Sequence, residues 1–115
     1  MSKELEDRFQ NYAKAVRDYC TRLKWDVINK EYIRQLIRSS GSISANYIEA
    51  SDDLGPADEK MKIKLSRREA KETIVWLDLV LSYNDNALEQ ERQRLKDEGE
   101  QIRKILSAIL IKLGK

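Results

Sequence analysis

Only one proline, Pro56, interrupts this chain of 115 residues, and only four glycines accompany it. With so little to break a helix, the fold is governed by where apolar residues recur along long uninterrupted stretches. They recur at steps of three and four in four successive segments, the period of an amphipathic α-helix. The chain reads as all-α, an antiparallel up-down-up-down four-helix bundle, with residues 1–115 expected to form one domain of ordinary size.

In the first segment Leu5, Phe9, Tyr12, Ala13, Val16, Tyr19, Cys20 and Leu23 share one stripe, with Ser2 as the expected N-cap. The pattern fails at Lys24-Trp25-Asp26, where Trp25 is expected to cover the end of the core. Asn29 is the expected N-cap of the second helix, whose stripe runs Ile33, Leu36, Ile37, Ser40, Ile43, Ser44, Tyr47 and Leu54. Its middle, Ser39-Ser40-Gly41-Ser42, is a poor helix former and must recover stability from packing, so a tight crossing is expected at Gly41 and Ala45.

Pro56, with Asp58 and Glu59 in the first turn, opens a third helix. Its core side is read as Ile63, Ala70, Thr73, Ile74, Leu77 and Leu81, widened by Met61, Leu65, Trp76 and Val80. The run Thr73 to Leu81 is apolar almost all round, which a helix on the outside of an isolated bundle should not be. Val75, Trp76 and Leu79 therefore read as a subunit interface. Asn84-Asp85-Asn86 breaks the chain again, and Asn86 with Glu89 resembles a capping box. Beyond it Leu88, Leu95, Ile102, Leu106, Ile109 and Leu113, with Ile105 and Leu110 alongside, form the stripe of a fourth helix.

The chemistry missing from the chain is as informative as its pattern. There is no histidine and one cysteine, so nucleophile-base pairs, zinc sites and the Glu-x-x-His sites of metallo-bundles lack their raw material. No phosphate-cradling glycine loop or dinucleotide fingerprint is present. A non-enzymatic protein without cofactor or metal is expected. Cys20 sits on an apolar stripe and reads as a buried small hydrophobe. One cysteine, no apolar leader at the start and no stretch near the roughly 18 apolar residues of a membrane span point to the cytoplasm, with no membrane contact.

Lysine and arginine total 22 against 20 acids, so any basic surface must be local. One is: Lys60, Lys64, Arg67, Arg68 and Lys71 project within one sector of the third helix, opposite its core side. Such a stripe suits phosphates along a nucleic-acid backbone; a solvated face partly paired with Glu69, Glu72 or the Asp52-Asp53 loop has the same pattern. Arg34 and Arg38 extend the stripe if they lie nearby. On the second helix Ser42, Ala45, Asn46 and Glu49 form a small polar face suited to contact with another helix, and a buried Glu49 would need Arg68 or Lys71 as its cation.

The run Gln35 to Ala50, containing Ser-x-x-Ala-Asn-x-x-Glu-Ala at Ser42 to Ala50, followed by Arg67-Arg68-Glu69-Ala70-Lys71-Glu72-Thr73 and Trp76-Leu77, resembles the bacterial four-helix bundle protein family. That family was first noticed as reading frames within intervening sequences of large-subunit ribosomal RNA genes. The matching positions are Ser42, Ala45, Asn46, Glu49, Glu69, Ala70, Glu72, Trp76 and Leu77, none with a catalytic assignment. What the resemblance implies is an antiparallel bundle that assembles with itself, commonly as a ring of five. A distantly similar bundle, the accessory protein of diversity-generating retroelements, implies a basic pentamer that meets nucleic acid and a reverse transcriptase; the present chain is nearly neutral. The function expected is thus a homo-oligomeric scaffold or adaptor that contacts RNA or another nucleic acid through the basic stripe. The alternative is a structural or protein-binding oligomer that contacts none.

Overall fold

The computed structural model describes residues 2–52 and 54–114. It is all-α, with four helices: α1 (Lys3–Arg22), α2 (Val27–Glu49), α3 (Pro56–Leu79) and α4 (Asn86–Leu113). Each helix packs on its chain neighbours and α4 closes back on α1, giving an up-down-up-down bundle 46 Å long and 22 by 20 Å across. α2 and α3 are the most extensively packed pair, and α1 and α4 the least.

The helix starts are set by side chains that accept the first free N–H groups. Ser2 caps α1 as expected, its hydroxyl accepting from Leu5 N at 3.1 Å. For α2 the cap is Asp26 and not Asn29: Asp26 Oδ1 accepts from Ile28 N (3.1 Å) and Asn29 N (2.8 Å). Asn29 is buried one turn inside and clasps two connections together. Its amide donates to Lys24 O and Leu81 O, each at 2.9 Å, and its Oδ1 accepts from Leu81 N at 2.9 Å. α3 starts at Pro56 as expected, after Gly55 at φ 107°, a conformation open to glycine. At α4 the cap is Asp85, one residue before the expected Asn86; its carboxylate accepts from Leu88 N at 3.0 Å, while Glu89 turns to Ser82 and Arg92.

Phe9, Val16, Leu36, Ile43, Ile63, Leu77, Leu95, Ile102 and Leu106 fill the core, and Phe9 meets Tyr47 edge to face at 4.9 Å. Several expected core residues are outside it. Ile37, Leu54 and Leu81 are exposed, with Leu54 and Leu81 beyond the helices to which their stripes were assigned. Trp25 does not cover the core end: it is 54% exposed, held by a bond from Nε1 to Cys20 O, and Leu23 and Val80 are buried there instead.

The tight crossing exists, but not at Gly41 and Ala45. A methyl group on Gly41 would meet nothing within 4 Å, and Ala45 is exposed. α2 and α3 meet through buried Ser39, Ser66, Ala70 and Thr73, where Ser66 donates to Ile43 O (2.7 Å) and Thr73 to Ser39 Oγ (2.8 Å). Small hydroxyl side chains bring the backbones together and satisfy their own polar atoms. The glycine packed against a neighbouring helix is Gly99 on α4, whose added Cβ would lie 2.7 Å from the Tyr12 hydroxyl.

Candidate functional site

The basic stripe lies along the outside of α3 and leans toward α4. Lys64, Arg68 and Lys71 are exposed, Lys60 and Arg67 half-buried. Arg67 reaches α4, its Nη1 3.4 Å from the Ser107 hydroxyl, while Arg68 lies 3.7 Å from Glu72. On α4 the Glu100 carboxyl is held below its usual range first by a hydrogen bond from Arg103, with Lys104 and Lys71 adding their charge. Glu100 therefore stands between Lys71 and Lys104 of α4, and the unbroken positive surface is that of α3 alone. It does not continue onto α2. Arg38 is spent on Glu69 (2.9 Å) and Glu72 (3.0 Å), and Arg34 on Glu31 (3.1 Å). Of the acids considered as partners of the stripe, Glu72 meets Arg68 and Arg38, Glu69 meets Arg38, and Asp53 lies outside the described residues.

Glu49 is exposed and pairs with Lys62 at 2.8 Å, not with Arg68 or Lys71. The buried acid is Glu69, 4% exposed, on the α2–α3 seam with Arg38. Its place could have been read from the steps Lys62, Leu65, Glu69, Glu72 and Trp76, which mark the side of α3 turned to α2. Ser42, Ala45 and Asn46 meet no second helix through a hydrogen bond; Asn46 Nδ2 donates within α2 to Ser42 O at 2.9 Å.

Val75 and Leu79 face outward, 49% and 46% exposed, on the same side of α3 as Lys64 and Arg68. Trp76 does not join them. It stacks on Tyr32 of α2 (6.2 Å, 29°), with its indole N–H buried and without an acceptor among the described residues.

Between α1 and α4, the loosely packed pair, runs an open groove of about 660 Å³ with Tyr12, Ala15 and Leu95 in its floor. Cys20 is buried, and burial pushes its thiol up to about 12. Among the described residues no three His, Cys, Asp or Glu side chains gather as a metal site, and no helix is long and apolar enough to cross a membrane.

A family model described as 23S rRNA-intervening sequence protein matches residues 8–108. The chain belongs to this family. A similar solved structure, from Bacteroides thetaiotaomicron VPI-5482, is titled a protein of unknown function from the S23 ribosomal protein family. It is 24% identical, covers 91% of this chain and 96% of its own, and superposes with a TM-score of 0.75, which places this intervening-sequence protein in the same fold. A search of curated proteins finds no significant match.

Proposed function

We propose that residues 1–115 act as one non-enzymatic, cytoplasmic bundle that self-associates and presents the outward side of α3 to nucleic acid, with RNA as the first candidate. The observation that carries this reading is the arrangement of Lys60, Lys64, Arg67, Arg68 and Lys71 along one ridge. Residues on successive turns lie about 5–6 Å apart along the axis, a spacing close to that of phosphates along a strand. No aromatic side chain shares the ridge, so it offers charge and forked hydrogen bonds to phosphate rather than a stacking platform for bases.

Val75 and Leu79 continue the same side of α3, and their exposure supports self-association there. A ring of five is the assembly that the family resemblance suggests. The alternative, an oligomer that binds protein only, is favoured by the near-equal charge totals.

Binding of a structured RNA measured from low to high salt separates the two readings. The wild type should weaken steeply as salt rises, by at least about tenfold between 50 and 200 mM, and Arg67→Glu/Lys71→Glu should remove most binding at low salt. Equal binding by both chains, or binding indifferent to salt, would contradict the nucleic-acid reading.

A further inference from the structure

Two features of the surface are only partly paired inside the chain: the convex basic ridge of α3, where Lys64 and Lys71 have no ion-pair partner among the described residues, and the concave groove between α1 and α4. The groove is rimmed by four carboxylates, Glu4, Asp7, Asp97 and Glu98. Its two arginines are already engaged, Arg8 by both oxygens of Glu98 (2.9 and 2.8 Å) and Arg94 by Glu91. Lys3 meets Asp7 in an exposed, water-screened pair, which leaves Glu4 and Asp97 as the rim carboxylates without an ion-pair partner among the described residues. Apolar floor and acidic rim together suit a helix that carries methylene stems ending in positive charge.

This chain carries such a helix. From Lys60 to Lys71 the basic ridge spans the same number of residues as Glu4 to Ala15 along the groove, roughly 16 Å at 1.5 Å per residue. Length and charge match between the two surfaces.

We propose that the occupant of the α1–α4 groove is α3 of a second copy, with Lys64, Arg68 and Lys71 against the acidic rim. Groove and ridge lie on different sides of the bundle, so the contact is head to tail: each copy offers its groove to one neighbour and its ridge to another until a ring closes. The proposal rests on the self-association reading and adds its regulation. A ridge seated in a neighbour's groove is withheld from phosphate, so RNA and a second copy compete for the same cations.

The test is sedimentation of the full chain at low salt with three variants, each checked for helical circular dichroism. Lys64→Glu/Lys71→Glu and Glu4→Lys/Asp97→Lys should each reduce the assembly to single chains. Combining all four changes in one chain, which restores opposite charge across the contact, should restore the assembled mass. A duplex RNA should lower the mass of the wild type. Assembly that survives in both double variants would overturn this contact and leave self-association standing. If both fall apart and the four-fold variant stays monomeric, the groove-ridge pairing is wrong. An RNA that binds without lowering the wild-type mass would overturn the competition, and a monomeric wild type would overturn the contact and self-association together.

Discussion

Gly41 and Gly99 are chemically identical and stand in opposite surroundings. The space around Gly41 is open, so Gly41→Ala should raise stability by up to about 1 kcal/mol, the ordinary helix preference for alanine. At Gly99 a methyl meets the Tyr12 hydroxyl at 2.7 Å and Ile74 at 3.1 Å, and the hydroxyl is held by its bond to Leu95 O. Gly99→Ala should cost about 1–3 kcal/mol. Urea unfolding of the two variants reads both signs, and a stabilised Gly99→Ala would refute the packing described. The sequence marks Gly41 by its serine neighbours and gives no comparable mark to Gly99, because what makes a glycine necessary is the residue facing it from another helix. Asp26 supplies a pH signature. Hydrogen bonds from Asn29 N, Tyr83 and Ile28 N hold its carboxyl below the usual range. A lowered folded value means that its contribution is complete above the unfolded value of about 4 and fades as pH falls through the lower folded one. Asp26→Asn keeps a capping side chain without the titration, so its stability should depend less steeply on pH in that acid window; an unchanged slope would count against the cap.

The elements themselves were legible because periodicity survives without knowledge of neighbours. The boundaries were less so: Asp26 and Asp85 displaced Asn29 and Asn86 as caps, and in each pair the aspartate stands one to three residues earlier with an ionised oxygen to offer the first N–H groups. Asn29 was freed for a role that no local pattern announces, bridging the α1–α2 and α3–α4 connections across the end of the bundle. Asn29→Ala should therefore destabilise by about 1–3 kcal/mol, beyond the loss of an ordinary surface amide, because the buried Asn29 side chain and the part-buried backbone groups of Lys24 and Leu81 lose their partners. Thermal unfolding tests this, and a near-neutral variant would mean that the connections close without the clasp. The stripe on α3 was equally legible as a set of five residues. Its surroundings were not, since only the fold decides that Arg38 is committed to the buried Glu69 and that Glu100 of α4 lies near Lys71.

At the scale of the whole molecule the chain is a rod whose α3 turns both its positive charge and its leftover apolar residues to the outside. A bundle this narrow buries one side of each helix, so Val75 and Leu79 stay about half exposed however well the core packs. Near-neutral totals conceal a division into a basic ridge and an acidic groove, which composition cannot reveal and which gives the chain two unlike surfaces. The account therefore depends on α3's outer side being a contact surface. The most direct measurement is the mass of the wild-type chain by light scattering at micromolar concentration. A value several times 13.5 kDa at low salt, falling as salt is raised, is the predicted result; a single-chain mass at every salt concentration would contradict it.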